Sequence, residues 1–383
     1  MKKVAIIGAG ISGLFFANLL RQNSEYEFII YEKNNSIMLE KSYGIQLSVN
    51  SIKLLNEIGF QSINSKDKFH PNKLDFYSLK NNNKICDLDI SIYNDSDLKH
   101  TTLQRATLIQ FLKDKLPDNL INYNKKLIDV SQSLEKIKLN FDDNSLIECD
   151  YLIISDGVFS PTKSLIANKE IKPKYFNSIA IRATITKNYL KNLDYNNISL
   201  SLGSNLHSVI YPINKSNEFN FISILGKNLS QGEVDSYTLF KDKIFVTSIL
   251  SEISKQIDLE ILNNLKGIKC FPIFVSNEIY LPKNKNIFLI GDAFFAFPPT
   301  FAQGASQSIE VAYELYKSLK NDKNQFNSQR IQRTKMINNK SKFNYFVFHF
   351  SNPLIIFIRN LLMKYLVKNN RFISSYLGKI YKN

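Results

Sequence analysis

Two periodicities of apolar residues divide the chain into predicted strands and helices. A short β-rich run, Lys3 to Ile7, leads into a glycine-rich turn, and a helical pattern continues to Leu20. A second apolar run, Phe28 to Tyr31, completes the order strand, turn, helix and strand, which is typical of a βαβ unit in a parallel sheet. Late in the chain, Ile287 to Ile290 predicts another buried strand, and a helix from about Gln303 to Leu319 closes this core.

Residues from about 171 to 280 have a different pattern. Short alternating strands are separated there by loops rich in Asn, Lys and Ser, which predicts an inserted antiparallel sheet. The strands expected in it are Ser178–Thr186, Ser208–Tyr211 and Phe219–Leu225. We therefore expect an α/β fold with a Rossmann-like domain of residues 1–170 and 281–340, an inserted sheet domain of residues 171–280, and C-terminal helices in a basic tail of residues 341–383. A hairpin at residues 70–100 is a candidate to join the inserted sheet.

Further elements are expected between the βαβ unit and the inserted sheet. After a loop at Gly44, the pattern predicts a helix with Asn50 as its N-cap and Gly59 as its stop. The hairpin turns at Asn81–Asn83. The remaining elements are an amphipathic helix at Thr102–Leu116 and strands at Lys126–Leu139 and Leu146–Ile154.

The turn after the first strand has the sequence Gly8-Ala9-Gly10-Ile11-Ser12-Gly13. Between a strand and a helix, this glycine spacing lets the backbone turn tightly, approach a pyrophosphate and pack the helix on the strand. The helix N-terminus offers amide groups and a positive dipole end to phosphates. An acid, Glu32, ends the second strand about 20 residues further on, where a carboxylate can accept from ribose hydroxyls. The pattern predicts a dinucleotide site with candidate residues Gly8, Gly10, Ser12, Gly13, Glu32 and Lys33.

Composition disfavours several classes of site. The three cysteines form no CxxC, and the four histidines are isolated from one another in the sequence. Neither an HExxH nor a GxSxG sequence is present, so metal-dependent and triad hydrolases are disfavoured and no metal is expected. A chain with unpaired cysteines and no run of about 18 apolar residues is expected in the cytoplasm.

The net charge of +15 is concentrated near the C-terminus. Between Lys323 and Asn383 there are twelve Lys or Arg and no Asp or Glu. The stretch Leu354–Val367 is largely apolar, and a polar stripe along one side of its predicted helix consists of Asn360, Lys364, Lys368 and Arg371. Such a helix suits a peripheral contact with the inner face of a membrane, and packing of the helix on the domain is the alternative. The chain has no nucleic-acid-binding motif, so no nucleic-acid partner is expected.

Two later motifs give the sequence a family resemblance. Ser155-Asp156-Gly157 follows a predicted strand, and the segment from Gly291-Asp292 to Gln303-Gly304-Ala305 joins a strand to a helix. Together with the first glycine turn, they make the chain resemble the FAD-dependent aromatic hydroxylases, the class A flavoprotein monooxygenases that include p-hydroxybenzoate and salicylate hydroxylases. The resemblance implies an FAD-binding domain, NAD(P)H as electron donor and O₂ as co-substrate. Its reaction hydroxylates an aromatic or hydrophobic small molecule through a flavin C4a-hydroperoxide.

The resemblance also implies roles for particular residues. Asp292 would accept from ribityl hydroxyls, Arg105 would reach the cofactor, and the N-terminus of the last helix would face the flavin. The cofactor-binding residues carried over in this way are Gly44, Ile45, Arg105, Asp156, Gly157, Asp292, Pro299, Gln303, Gly304 and Ala305. The catalytic candidates are Pro299, in the loop beside the flavin, and Tyr211, in a strand near the substrate cavity.

Some positions depart from the family pattern. Phe295 stands where the family usually has His, Ala302 where it has Gly, Val311 where it has Asp, and Lys163 where it has Arg. The aromatic side chains at 294, 295 and 297 indicate either core packing or a hydrophobic substrate. Three alternatives therefore stay open, namely a ubiquinone-pathway hydroxylase at a membrane surface, a flavin-dependent reductase of an isoprenoid-type substrate, and a non-catalytic flavin-binding protein.

Overall fold

The computed structural model of the chain describes residues 1–37, 39, 43–132, 136–236, 238–320 and 323–381. The strands are β1 (Lys2–Ile7), β2 (Tyr26–Tyr31), β3 (Gly44–Leu47), β4 (Lys68–Phe69), β5 (Lys73–Ser78), β6 (Lys84–Asp89), β7 (Thr101–Gln104), β8 (Ile121–Asn122), β9 (Leu127–Gln132), β10 (Ile137–Phe141), β11 (Leu146–Cys149), β12 (Tyr151–Ile154), β13 (Lys174–Thr186), β14 (Ile198–Leu202), β15 (Leu206–Pro212), β16 (Glu218–Gly226), β17 (Lys266–Val275) and β18 (Ile287–Leu289). The helices are α1 (Ile11–Leu20), α2 (Val49–Asn56), α3 (Arg105–Asp114), α4 (Pro161–Ala167), α5 (Gln231–Asp235), α6 (Lys243–Ile253), α7 (Leu259–Asn263), α8 (Gly304–Lys320), α9 (Lys323–Phe348), α10 (Pro353–Leu366), α11 (Asn370–Ile373) and α12 (Lys379–Tyr381).

A parallel sheet of five strands, in the order β18-β12-β1-β2-β8, forms the centre of the first domain. Helices α1, α3 and α8 contribute to the core on one of its faces, and the antiparallel sheet β11-β10-β9 contributes to the core on the other. Because both faces are covered, the central strands are apolar on both sides, as the uninterrupted runs in the sequence predict. The Rossmann-like fold expected from the sequence is confirmed, and the late strand β18 pairs with β12 in its parallel sheet.

The second domain is built on a seven-stranded sheet in the order β17-β13-β16-β15-β14-β5-β6. The hairpin β5–β6 belongs to this sheet, and β5 runs parallel to β14, whereas the other neighbouring strands are antiparallel. One face of the sheet packs on α6 and α7, where Ile249, Ile253 and Leu262 are buried. The sequence pattern did not predict these helices. The opposite face forms the floor of a cavity, and α9 to α12 pack beside this cavity.

Several element boundaries differ from the sequence prediction. The helix predicted at Thr102–Leu116 begins only at Arg105, because Thr101–Gln104 forms β7. The N-cap of α2 is Ser48, in extended conformation, and not Asn50 as predicted. Asn50 lies inside the helix, where its side chain donates to Glu310. The chain between 126 and 139 forms two antiparallel strands, β9 and β10, in which Gln132 faces Ile137. The stretch from 146 to 154 is divided at Asp150, because β11 and β12 belong to different sheets.

The C-terminal stripe is also shorter than predicted. Helix α10 ends at Leu366, so Lys368 and Arg371 lie beyond it, and Asn360 is half-buried. Arg359 faces inward and donates to the carbonyl oxygen of Val347. The outward face of α10 is therefore mainly apolar rather than basic. None of the helices within the described residues is both long enough and apolar enough to span a membrane.

Candidate active site

The glycine turn joins β1 to α1 against the end of β12. Gly8 has φ +101°, and a Cβ atom on it would lie 2.7 Å from the carbonyl oxygen of Ser155. A Cβ atom on Gly13 would overlap the carbonyl oxygen of Gly8. At Gly10 the nearest atom to such a Cβ would be 4.0 Å away, so the space beside this residue is open. The turn therefore packs tightly on its protein side and leaves room at the helix N-terminus.

The acid at the end of β2 is close to this turn. Glu32 Oε2 accepts from the amide of Ala9 at 2.9 Å, and its other oxygen accepts from the amide of Asn34 at 3.0 Å. These bonds fix the carboxylate beside the first turn of α1. The neighbouring Lys33 is exposed, and Ser12 is buried at the start of α1.

The segment after β12 closes the same turn from the other side. The hydroxyl of Ser155 donates to the carbonyl oxygens of Ile7 and Gly8, at 2.9 and 2.8 Å. Asp156 accepts from the amide of Thr162 at 3.2 Å, and burial raises the pKa of this carboxyl group. The other carboxylate oxygen of Asp156 has no partner among the described residues. Gly157 has φ +87° with open space around its Cα atom.

Lys163 stands where the family usually has arginine. It connects this segment to the late motif, which we define as residues 291–305. Its ammonium group donates to the carbonyl oxygen of Ala293 at 3.3 Å, and burial lowers its pKa. Lys163 therefore contacts the backbone of the late motif directly.

The late motif starts with a turn after β18. Gly291 has φ +62°, and a Cβ atom there would overlap the hydroxyl of Ser12, so the turn touches the start of α1. The side chain of Asp292 is exposed to the cavity, although protein atoms surround the residue. Burial raises its pKa to about 6, although the positive charge of Arg105 opposes this shift.

The loop between Asp292 and α8 brings the helix N-terminus to the cavity. Gln303 donates to the hydroxyl of Ser48 at 3.3 Å, and the space around Gly304 is open. Ala302 has φ +51°, a left-handed conformation that costs a non-glycine residue about 1–2 kcal/mol. This cost explains why the family usually has glycine at this position. Phe294 and Phe295 are buried in the core, whereas Phe297 lines the cavity.

Gly44 lies where β3 meets the second domain. Its amide donates to Asn220 Oδ1 at 2.6 Å, and a Cβ atom on it would lie 2.9 Å from the ring of Tyr211. The amide nitrogen of the Asn220 side chain has no partner among the described residues. Tyr211 packs beneath Gly44 instead of lining the cavity, and burial raises its pKa. Ile45 lines the cavity.

A cavity of about 330 Å³ runs from Asp292 across the seven-stranded sheet. One lateral row of the sheet supplies much of its floor, since each residue pairs with the next on the neighbouring strand. The residues of this row are Arg182, Ile222, Val209, Leu200 and Phe76. Strands lie about 4.8 Å apart, so the row extends about 19 Å from end to end. It is apolar except at Arg182, whose guanidinium lies 4.5 Å from the centre of the Tyr43 ring.

The cavity also contains polar residues that the sequence analysis missed. They come from separate elements, and the C-terminal segment supplies several of them. They are His100, Arg182, His207, Asn344, Tyr376 and Tyr381. Nδ1 of His207 is 2.7 Å from Nε2 of His349, and burial lowers the pKa of both histidines, that of His349 to about 4. No local motif marks these residues, because only tertiary contacts bring them together.

The structure gathers most residues of the sequence-based site around one connected region. The glycine turn, the segment at Asp156 and the turn at Gly291 touch one another. Seven of the predicted residues line the cavity itself, namely Gly44, Ile45, Asp292, Pro299, Gln303, Gly304 and Ala305. Lys33 and Tyr211 do not line it.

This arrangement defines a class of protein. A parallel sheet that presents a glycine turn and two helix N-termini to a cavity under a second sheet is the architecture of a two-domain dinucleotide flavoprotein. The family described as FAD binding domain matches residues 1–330. The chain belongs to this family, and it is an FAD-dependent monooxygenase of the aromatic-hydroxylase group.

The curated relatives are monooxygenases. A 6-hydroxynicotinate 3-monooxygenase from Bordetella bronchiseptica is 23% identical over 318 residues, which cover 81% of this chain and 80% of the relative. A salicylate hydroxylase from Pseudomonas putida is 23% identical over 348 residues, with 83% and 76% of the two chains covered. These relatives support the hydroxylase reading and do not favour the reductase, ubiquinone-pathway or non-catalytic alternatives.

Solved structures share the fold. Klebsiella pneumoniae HpxO, complexed with FAD and uric acid, superimposes with a TM-score of 0.82 at 16% identity, over 99% of this chain and 96% of that one. A salicylate hydroxylase substrate complex superimposes with a TM-score of 0.80 at 18% identity, over 100% and 95% of the chains.

The residues present here fit FAD. Open space lies beside Gly10, Gly157 and Gly304, where a Cβ atom would otherwise intrude on a ligand. Asp156 keeps a carboxylate oxygen without a partner among the described residues, and the Asp292 carboxylate opens into the cavity. The first N–H groups of α1 and α8 have no acceptor within their own helices, so they can donate hydrogen bonds to an anionic cofactor.

Proposed function

We propose that the chain hydroxylates a small aromatic substrate bound over the seven-stranded sheet. The observation that supports this is the cavity of about 330 Å³, which joins Asp292 and the start of α8 to an apolar floor. The floor consists mainly of aliphatic and aromatic side chains, and such a surface stabilises a planar apolar ring. Bound FAD would supply the redox and oxygen chemistry, with NAD(P)H as the electron donor.

We propose that each of the two ends of FAD has its own set of ligands in this chain. At the dinucleotide end, the amides of α1 would hold the pyrophosphate, and Glu32 would accept from the ribose. At the flavin end, Asp292 would accept from the ribityl chain, and the N-terminus of α8 would stabilise negative charge on the ring. The further ligands in this proposal are Gly8, Gly10, Ser12, Gly13, Lys33, Gly44, Ile45, Arg105, Asp156, Gly157, Pro299, Gln303, Gly304 and Ala305.

The protein's own part in the reaction is to position the substrate and exclude water. Pro299 stiffens the loop beside the cavity, and apolar residues of the sheet keep water from the reacting ring. Tyr211 would act through its contact with Gly44. In this proposal residues 1–170 and 281–340 bind the cofactor, whereas residues 171–280 with the hairpin bind the substrate.

The test is turnover by purified holoenzyme. Yellow protein is mixed with NADH or NADPH and a panel of phenols and hydroxylated pyridines under air, and products are identified by mass spectrometry. We expect one substrate class to accelerate NAD(P)H oxidation and to gain one oxygen atom, which comes from ¹⁸O₂ in a labelled experiment. Flavin-loaded protein that oxidises NAD(P)H but oxygenates no member of the panel would argue against this function.

We also propose that the C-terminal helices contact an anionic membrane surface. On α10 the side chains of Phe357 and Tyr365 are 66% and 68% exposed, and the neighbouring α9 exposes Phe346. The remaining apolar residues of this face are Phe343, Leu354, Ile355, Ile358, Leu361 and Leu362. An exposed apolar patch of this kind marks an interaction surface. The absence of Asp and Glu from residues 323–383, which carry twelve cations, favours anionic lipid as the partner.

Vesicle binding tests this contact with the full chain. Phosphatidylcholine vesicles with about 30% phosphatidylserine should co-sediment the protein, and Phe357→Ser with Leu361→Ser should abolish this binding. The matched control is Ile244→Ser, which removes an exposed apolar residue of α6 and should leave binding unchanged. If the wild type ignores the vesicles but forms a dimer that the double substitution dissociates, the face belongs to a second copy of the chain.

A further inference from the structure

His100 stands out among the cavity residues because its two ring nitrogens have no partner in the part of the chain that the structure describes. The side chain is only 4% exposed, and neither ring nitrogen has a hydrogen-bond partner among the described residues. A buried polar group without a partner destabilises a protein more than an apolar side chain of similar size would. The structure therefore gives His100 no packing role that phenylalanine could not fill better.

The position of His100 is fixed by its neighbours. Its amide donates to Asn94 Oδ1 at 2.9 Å, and its ring centre lies 6.3 Å from that of Tyr381. Tyr381 also contacts Tyr93, which follows β6, at 5.3 Å between ring centres. His100 therefore lines the cavity near the strand β6, at the far edge of the sheet from Arg182.

The imidazole of His100 is uncharged at neutral pH. Burial lowers its pKa to about 4, and the nearby His70 adds to this effect. A neutral imidazole has one N–H donor and one nitrogen acceptor. It is complementary to a hydroxyl group, a ring nitrogen or an amide, and it offers no charge to a carboxylate.

The floor of the cavity separates this end from the cationic end. Among the described residues that line the cavity, Arg182 is the only Lys or Arg. Arg182 and Phe76 lie four strand spacings apart, about 19 Å, which is longer than a single aromatic ring. A one-ring substrate that reaches His100 is therefore recognised there without help from the guanidinium.

We propose that His100 is a specificity-determining residue that hydrogen-bonds an uncharged polar substituent of the aromatic substrate. This inference rests on the proposed function, since it assigns one contact within the same cavity. It places the polar atom of the substrate ring at the β6 end of the sheet.

A pair of probes of nearly equal shape tests the assignment. p-Cresol and p-xylene differ by one hydroxyl in place of a methyl group, and binding of each to the oxidised holoenzyme is followed by the change in flavin absorbance. We expect the wild type to prefer p-cresol by about ten-fold, the preference that one hydrogen bond supports. His100→Phe should lose this preference by weakening p-cresol binding, whereas His100→Gln, which keeps a donor and an acceptor, should retain part of it.

His70→Phe is the control that keeps the His100 ring, since His70 hydrogen-bonds Thr101 at 3.1 Å and the backbone of His100 and does not line the cavity. Its preference for p-cresol should stay well above that of His100→Phe. A ¹⁵N spectrum of the histidine rings gives a second measurement, in which p-cresol should shift the His100 signals and p-xylene should not. The chain has four histidines, so single substitutions assign these signals.

Three results would overturn the proposal. They are equal binding of the two probes by the wild type, a preference for p-cresol that survives in His100→Phe, and failure of p-cresol to bind the wild type. The function itself is measured separately, by oxygenated product. Selective p-cresol binding through His100 without any oxygenation in the substrate panel would reject the function and keep this contact.

Discussion

At the residue scale, the glycines of the first turn have separable tasks. A methyl group on Gly13 would overlap the carbonyl oxygen of Gly8, whereas one on Gly10 would enter open space. We therefore expect Gly13→Ala to lower the free energy of unfolding by about 1–3 kcal/mol through overpacking. Gly10→Ala should cost less than about 1 kcal/mol but should lose FAD, because its methyl group occupies the space that the pyrophosphate needs.

Urea unfolding and the ratio of flavin to protein absorbance measure the two effects. The glycines are each other's controls, because the same change of residue is made on opposite sides of one turn. Equal flavin content in Gly10→Ala and the wild type would contradict the assignment of the pyrophosphate to this turn.

Asp292 leads to a second prediction at this scale. Its pKa rises in the folded protein from 3.8 to about 6, so folding favours the protonated acid. This stabilisation is complete below about pH 3.8 and is lost as the pH rises through 6. We expect apoprotein with Asp292→Asn to be about 1 kcal/mol more stable than the wild type at pH 7.5, a value reduced because the side chain faces the cavity.

Urea unfolding of apoprotein at several pH values tests the sign. The advantage of Asp292→Asn should disappear near pH 4, while its affinity for FAD should be lower than that of the wild type. Asp129→Asn, which changes an exposed carboxylate on β9, should show neither effect. A stability gain that did not depend on pH would contradict the role given to the ionisation of Asp292.

At the scale of elements, one buried cluster joins three helices. Glu310 of α8 accepts from Arg333 at 2.6 Å and from Arg330 at 3.2 Å, both on α9, and from Asn50 of α2 at 2.8 Å. Burial alone would raise the pKa of Glu310, but the two guanidinium groups hold it below its usual value. Loss of this carboxylate would leave buried Arg333 with no carboxylate partner among the described residues and Arg330 with only Glu314, at 3.5 Å, which is strongly destabilising.

We therefore expect Glu310→Gln to lower the free energy of unfolding by about 3–5 kcal/mol, measured by urea unfolding at pH 7. Glu148→Gln is the control, because Glu148 pairs with Lys138 at the exposed surface at 3.2 Å. The control should change stability by less than about 0.5 kcal/mol. A similar small effect at both sites would mean that the cluster does not hold α9 in place.

The same scale shows which elements the sequence could predict. The βαβ unit, the hairpin and the strands β13, β15 and β16 follow from periodicity and turn residues, because their pattern is set by burial on one or both faces. The N-cap of α2 was misassigned because asparagine is a common capping residue. The side chain of Asn50 instead donates a hydrogen bond to Glu310. Helices α5 to α7 were missed. Helices α5 and α7 have five residues each, and α6, of 11 residues, lies in a region where the alternating pattern predicted only strands.

At the scale of the whole molecule, the grouping of the glycine turn with Asp156 and Asp292 was predictable, whereas the polar lining of the cavity was not. Gly8, Asp156 and Asp292 belong to local motifs whose spacing encodes strand, turn and helix, so the sequence could group them. His100, Arg182 and His207 come from three separate strands or loops and carry no local signature. They share one cavity only because two sheets and the C-terminal helices pack together.

The C-terminal helices connect to the second sheet through a pair of histidines, and this gives a last prediction. Nδ1 of His207 on β15 lies 2.7 Å from Nε2 of His349, which follows α9, and only one of these nitrogens can carry the shared proton. Burial lowers the pKa of His349 from 6.5 to about 4, so the folded protein favours the neutral ring. The resulting stability is present above pH 6.5 and is lost as the pH falls toward 4. We expect wild-type unfolding free energy to decrease across this range, with His349 contributing about 2 kcal/mol of the decrease.

His349→Phe should flatten the curve by that amount in urea unfolding between pH 7 and pH 4. Tyr345→Phe, beside His349 with 4.1 Å between ring centres, should keep the wild-type slope because tyrosine does not titrate in this range. Parallel curves for the wild type and His349→Phe would show that protonation of this pair does not weaken the attachment of the C-terminal helices to the sheet.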